Sequence, residues 1–484
     1  MSFSKPIFVP TSTRPALCRP VQHCLVDNSE VFHPAPGMNK MRAASVAMTW
    51  SELESYANNL STTFSDTQHF REQGPTNARA TYRSFNTTAT KEDARVVLYR
   101  DNHAWCPYCQ KVWLWLEEKQ VPYRIEKVTM FCYGQKESWF KKIVPSGMLP
   151  ALALDGVTIT ESDDILMTLE DEFGALGGKG MNDASVLPLR RMERQLFRSW
   201  CQWLCYPSRS SREEANNQLQ FQKMAKVVDD QLGKTKGPYF LGQELCTADV
   251  IFTPYIERMA ASLYYYKGYD IKSQNPNIQK WFEAMETRET YLGTQSDYHT
   301  HAHDLPPQMG GCYTNNSAEA KENADLIDAG LLTDTVPEVS HEEPATSMQE
   351  VIHRMLRHHD TISAINPYNN GVVDEALRCA LTNMATGKHE CVPPTGTDTA
   401  LRYVKDRISV PRDMSIWAGK RLRTALEATA QLDGFNASHP IPIKHRRDQG
   451  CAPFREARIN RGEGMGNRNS GESKSSKSCG AMYR

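Results

Sequence analysis

The chain has 484 residues, enough for two to four domains with full cores, and a formal net charge of -1. So even a balance argues against an electrostatic binder of nucleic acid through the chain as a whole, and no stretch approaches eighteen uncharged apolar residues, so no membrane-spanning helix is expected. Thirteen cysteines, odd in number and irregularly spaced, suit reduced thiols in a reducing compartment better than a disulfide scaffold.

Residues 1–48 are rich in Ser, Thr, Pro and Arg, with Asp27 and Glu30 the only acids. That is the composition of an organellar transit peptide, with a plastid favoured over a mitochondrion and Val46-Ala47-Met48 as a small-residue processing site. The alternatives are a plain disordered leader and a cytoplasmic protein. Residues 49–94 follow as a short helix over Trp50 to Asn59, with Ser51 capping Glu54, and a polar connector.

Arg95 to Tyr99 reads as a buried strand and Asp101 to Trp105 as the loop leaving it. Cys106-Pro107-Tyr108-Cys109 then opens an amphipathic helix reaching about Gln120. Pro107 falls at the first helical position, where its missing N–H costs nothing. Cys106 is thereby presented to orphan backbone N–H groups and the positive dipole end, a placement that favours thiolate by roughly 0.3 to 1 kcal/mol, more when partly buried. Cys109, one turn on, is within reach of a disulfide with Cys106. A zinc half-site would need a second ligand pair, and none is spaced for it; two plain core cysteines are the other bland reading. The agreement of strand, proline and helix favours redox or thiol-transfer chemistry.

Tyr123 to Met130 reads as a second strand, Phe131 to Lys142 as a loop and short helix, and Pro145 to Leu152 as a turn into a third strand. Asp155-Gly156 between two apolar runs predicts a tight hairpin, and Glu161-Ser162 opens a helix that Gly174 ends. The order β-α-β-α-β-β-α over 95–175 is a thioredoxin-like unit.

These residues resemble the N-terminal domain of cysteine-type glutathione transferases, the group with omega and lambda transferases and plant dehydroascorbate reductases. Cys106-Pro107-Tyr108-Cys109-Gln110-Lys111-Val112, Leu116-Glu117-Glu118-Lys119, Val121-Pro122-Tyr123, Trp139-Phe140, Leu149-Pro150 and Glu161-Ser162 carry the resemblance, and the first of these is also glutaredoxin-like. It implies Cys106 as nucleophile and Cys109 as an optional resolver. It further implies Leu149, before a cis Pro150, as backbone partner of the cysteinyl part of glutathione, and Glu161 and Ser162 as holders of its γ-glutamyl end. For the glycyl end Lys136, Lys141 and Lys142 all lie in the right region, with Lys136 ranked first. Glutathione is the implied cosubstrate, with small oxidised or electrophilic partners; no metal is expected.

Residues 185–300 read as helical, with Met192, Leu196, Trp200, Trp203 and Leu204 on one face. Cys246-Thr247-Ala248-Asp249 resembles the capping motif of the transferase C-terminal domain, with Cys246 where the family has Ser or Thr. The departure should weaken the cap by about 1 kcal/mol unless Thr247 takes over. Trp200, Trp203, Tyr206 and Tyr264 to Tyr266 could line an electrophile pocket, though core is the commoner fate of such aromatics. His299, His301 and His303 alternate, so a strand would put them on one side where they could bind a metal; loop histidines at a domain edge are the expectation.

Acidic residues 315–345 read as a linker, 347–432 as a further four-helix extension, and 433–484 as a disordered basic tail. The expected architecture is therefore an α/β thioredoxin-like domain, an all-α transferase domain and a helical C-terminal extension that packs on the rest or forms a homodimer surface. Three functions compete. The first is a glutathione-dependent thiol oxidoreductase of thioltransferase or dehydroascorbate-reductase type; the second conjugates glutathione to electrophiles; the third is a non-enzymatic scaffold or chloride-channel-like relative.

Overall fold

The computed structural model describes residues 46–433 apart from 61–63, 86, 88–89, 331–335 and 369. Most of the leader and nearly all of the basic tail lie outside the described residues, and so do the calls made on them. Helices α1 (Trp50–Leu60) and α2 (Gln68–Gln73) precede a two-residue strand, β1 (Tyr82–Arg83). The thioredoxin-like unit follows as β2 (Val96–Asp101), α3 (Pro107–Lys119), β3 (Tyr123–Val128), α4 (Ser138–Ile143), β4 (Ala151–Leu154), β5 (Val157–Thr160) and α5 (Ser162–Phe173). Every side chain of β2 is buried, as a central strand covered on both faces requires.

The sheet runs β1-β3-β2-β4-β5, with β2 parallel to β3 and the other pairs antiparallel. Asp155 and Gly156 both take positive φ, 49° and 84°, the backbone that a two-residue hairpin demands. Strand β1 has no counterpart in the sequence reading, because two residues give no alternation to detect.

The all-α domain that follows consists of α6 (Val186–Leu204), α7 (Ser211–Leu232), α8 (Thr247–Lys267), α9 (Ile271–Gln274), α10 (Pro276–Met285), α11 (Glu289–Thr294) and α12 (Tyr298–Met309). Every residue of α8 is buried, so it is the axis of the domain. At its start Asp249 accepts from Cys246 N at 3.0 Å and Cys246 Sγ at 3.3 Å, so the carboxylate ties the N-cap residue to the first turn. Thr247 does not take over; its hydroxyl bonds Glu170 of α5 at 2.5 Å.

Three expectations are corrected. Histidines 299, 301 and 303 lie neither in a strand nor in a loop but in α12, where Asp297 accepts from Thr300 N at 2.9 Å. The stretch 315–345 is not only a linker: it holds α13 (Ala318–Ala329), whose polar sequence buries just Ala320 and Ile327 and so shows no apolar stripe. The cap of α1 is Thr49 with Glu52, not Ser51 with Glu54.

The extension is the four helices expected, α14 (Ser347–Ile365), α15 (Val373–Thr386), α16 (Asp398–Arg407) and α17 (Ile416–Gln431). Their apolar faces close on a core of their own that includes Val351, Leu377, Leu401 and Leu426. Leu53 and Ala57 of α1 belong to that core, and Tyr56 Oη donates to Ala385 O at 2.7 Å. The extension is tied to α12 by Arg423 on Asp297 and by Val410 N donating to Thr300 Oγ1 at 3.2 Å.

Candidate active site

Cys106 is the N-cap residue of α3, with extended backbone (φ -71°, ψ 118°), and Pro107 is the first helical residue. One oxygen of Asp101 and the sulfurs of Cys106 and Cys109 lie within 4.8 Å of one another, and both cysteines are free thiols. Cys109 is 1% exposed, and burial first, then the neighbouring Cys106 sulfur, pushes its thiol well up. Two cysteines one turn apart thus differ in kind: Cys109 holds its proton, while Cys106 opens onto a cleft of about 780 Å³.

That cleft gathers the residues named from sequence. Lys136, Leu149, Pro150, Glu161 and Ser162 all line it together with Cys106, and the Leu149–Pro150 peptide is cis. Of the three lysines weighed, Lys136 alone lines the cleft, and Lys141 and Lys142 are exposed. Lys136 Nζ donates to Thr129 O at 3.0 Å. Burial pulls its pKa down, opposed by Cys109 and Cys106. Gly147, at φ 68°, lets this side chain pass, since a Cβ there would meet Lys136 Cδ at 3.1 Å. Glu161 takes a φ of 65°, unusual for a residue with a side chain and costing about 1–3 kcal/mol, and immediately precedes buried Ser162 at the start of α5.

The cleft's other wall is α6 and α8, through Leu187, Arg190, Arg191, Arg194, Arg198, Ile251 and Tyr255. Trp200 and Trp203 are core, Tyr264 to Tyr266 are buried in α8, and Tyr206 is exposed; none of them lines the cleft. Tyr108 does, with its ring edge-on to Tyr255 at 5.8 Å, and burial raises its phenol.

Sequence reading missed the frame around the nucleophile. Lys111, buried, pairs with Asp163, and Asp163 also takes Arg190 at 3.0 Å; against the burial that would raise it, these two cations hold the carboxylate below its ordinary value. Asp101 accepts from Trp105 N at 2.7 Å. Arg258 of α8, 1% exposed, donates to Trp105 O, Gln110 Oε1 and Pro254 O, each at 2.7 Å. Gln110 in turn donates to Glu257 at 3.1 Å. From the extension, Ser409 Oγ accepts from the Trp105 indole at 2.8 Å, and Arg412 lies over that ring at 5.7 Å. The signal for Lys111 and Gln110 was their place just after the cysteine pair; nothing local in sequence points to Arg258 or Ser409.

Residues 105–172 match the family model of the glutathione S-transferase N-terminal domain, and residues 199–292 that of the C-terminal domain. Residues 105–292 thus carry the N- and C-terminal domains of a glutathione S-transferase. Among similar proteins, Arabidopsis thaliana glutathione S-transferase DHAR3, chloroplastic, is 25% identical over 194 residues, which are 40% of this chain and 69% of that protein. The probable glutathione S-transferase DHAR1, cytosolic, of Oryza sativa subsp. japonica is 28% identical over 196 residues, 40% of this chain and 84% of its own. Glutathione transferase Omega 3C from Trametes versicolor superposes with a TM-score of 0.38 at 27% identity, over 44% of this chain and 88% of that one. Chlamydomonas reinhardtii dehydroascorbate reductase gives 0.35 at 20% identity, over 41% and 91%. The transferase unit is thus under half of the chain, and the extension lies beyond residue 292, where the family match ends.

Proposed function

We propose that this transferase is a glutathione-dependent thiol oxidoreductase with Cys106 as nucleophile. The observation that carries the reading is the cleft itself, where Cys106 at a helix N-terminus shares one cavity with Lys136, Leu149, Glu161 and Ser162. The Cys106 thiolate attacks the glutathionyl sulfur of a mixed disulfide; the S–S bond breaks, and the leaving thiolate takes a proton from solvent. A second glutathione thiolate then attacks that same sulfur, giving oxidised glutathione and returning the Cys106 thiolate. Cys109 is the slower resolver, because its buried thiol gives up its proton reluctantly. Glutathione lies with its γ-glutamyl carboxylate at the N-terminus of α5 beside Ser162, its ammonium on Glu161 and its glycyl carboxylate on Lys136. Dehydroascorbate is a second candidate oxidant by a different first step: the Cys106 thiolate adds to a carbonyl carbon, whose oxygen takes a proton. A glutathione thiolate then attacks the Cys106 sulfur, breaking the C–S bond and releasing ascorbate. The resulting Cys106–glutathione disulfide is opened by a second glutathione as above.

Replacing Cys106 by Ser is expected to lower reduction of hydroxyethyl disulfide with glutathione by about 10³-fold or more; full turnover in that variant would remove Cys106 from the role. Lys136→Ala should raise KM for glutathione about tenfold, the worth of one hydrogen bond to a charged group, with Lys141→Ala unchanged. A second reading, conjugation, is favoured by one observation only, the half-buried Tyr108 phenol in the cleft wall. Activity on a chlorodinitrobenzene-type electrophile retained in Cys106→Ser and lost in Tyr108→Phe would support it. We also propose a plastid location, on the composition of residues 1–48 and the name of the Arabidopsis relative; import of the full chain into isolated chloroplasts tests it.

A further inference from the structure

Helix α12 carries three histidines that the thiol chemistry does not use. In a helix, His299 and His303 stand one turn apart on the same face, with ring centroids at 4.9 Å, while His301 turns aside to Glu257 at 2.7 Å. Asp328, near the end of α13, brings Oδ1 to 2.6 Å from His303 Nε2. One nitrogen from each histidine and one Asp328 oxygen lie within 4.8 Å of one another. A fourth side chain comes from the extension: Asp406 of α16 has Oδ1 3.7 Å from His299 Nε2. The geometry points to a divalent-cation site of zinc type held by His299, His303 and Asp328, with Asp406 of the extension standing beside His299.

Two imidazoles at i and i+4 on one helix face form a chelating pair for zinc. With zinc bonds of about 2.0–2.2 Å, neighbouring donors around a tetrahedral ion stand about 3.3 Å apart. His303 Nε2 and Asp328 Oδ1 stand 2.6 Å apart, and the donors of all three ligands lie within 4.8 Å of one another, so side-chain adjustment about that spacing admits the ion. Two carboxylates and two neutral imidazoles balance a divalent charge, which matters where His299, His303 and Asp406 are each 5% exposed or less. Two imidazole nitrogens with a carboxylate oxygen suit zinc better than calcium or magnesium, which take oxygen throughout, and better than monovalent copper, which prefers sulfur. An outer shell is present as well. Tyr265 Oη donates to Asp328 Oδ2 at 2.9 Å and its ring packs edge-on to His303 at 5.3 Å, while Lys405 Nζ stands 3.8 Å from Asp406.

The test uses the full chain, stripped with a chelator and titrated with zinc chloride, with bound metal counted and the thermal midpoint recorded. One zinc per chain and a raised midpoint are expected, and the same in Cys106→Ser/Cys109→Ser, which removes the other cluster with metal-binding groups among the described residues. The pair His299→Ala/His303→Ala should bind none while keeping disulfide reduction. Cobalt substituted for zinc should show tetrahedral visible absorption without thiolate charge transfer. Absence of zinc from the wild type, binding that survives loss of both histidines, or binding lost with the cysteines would each overturn the site. Should the double-histidine variant not fold, Asp328→Asn decides: affinity at least tenfold weaker upholds the site, and unchanged affinity overturns it.

Discussion

The helices of the transferase domain and those of the extension both reach the loop that carries Cys106, and they hold it by different physics. From α8 a buried guanidinium, Arg258, binds two carbonyls and a side-chain amide around Trp105 and Gln110. From the extension, Ser409 accepts one neutral hydrogen bond from the Trp105 indole. Hydrogen bonds from a charged donor are roughly twice as strong as neutral ones and here there are three against one, so the two supports should differ in weight. The transferase side fixes where the nucleophile stands, and the extension trims that position.

The largest test of that contrast is Arg258→Met, which leaves Trp105 O, Gln110 and Pro254 O without their donor. A loss of about 3–5 kcal/mol in unfolding free energy is expected from the lost hydrogen bonds to a charged donor, read by denaturant melts, together with loss of most disulfide reduction. Next comes acid. Burial, with Arg354 adding repulsion, holds His358 of α14 down at about 3. Below pH about 6.5 the unfolded chain takes up a proton that the folded extension refuses, so this contribution to stability is complete above 6.5 and is lost as pH falls toward 3. Melting followed at pH 7 and pH 5 should show the extension weakening, and His358→Gln should weaken less. The smallest effect belongs to Ser409→Ala, about 1 kcal/mol with a modest fall in kcat. If Ser409→Ala cost as much as Arg258→Met, the assignment of fixing and trimming roles would be reversed.

Most of this architecture was legible in the sequence because its signals are local. The Pro107 start of α3, the Asp155-Gly156 hairpin and the apolar stripes of α6 and α14–α17 each lie within a short window. The cysteine, the Leu149–Pro150 turn and the Glu161-Ser162 helix start gave the cleft for the same reason. What escaped is what distance in sequence hides. Arg258 and Ser409 meet Trp105 across 153 and 304 residues, and no spacing rule connects them. Helix α13 escaped because it buries so little, and the histidines of α12 were weighed as strand and expected as loop when the chain there turns with the period of a helix.

The extension is not contiguous. Helix α1, at the front of the transferase unit, supplies Leu53 and Ala57 to a core otherwise built after residue 346. Trp50 completes the seam, with its indole on Asp374 at 3.1 Å and stacked on His359 at 3.9 Å. On a ribosome adding roughly 5–20 residues per second, α1 emerges first and waits tens of seconds for the helices it packs against, while the transferase unit between them is already being made. The order of synthesis therefore leaves one amphipathic helix apolar face outward through most of translation, a natural client for a holding chaperone. A transferase expressed without α1 would lose not its cleft but the closure of the domain that leans on it.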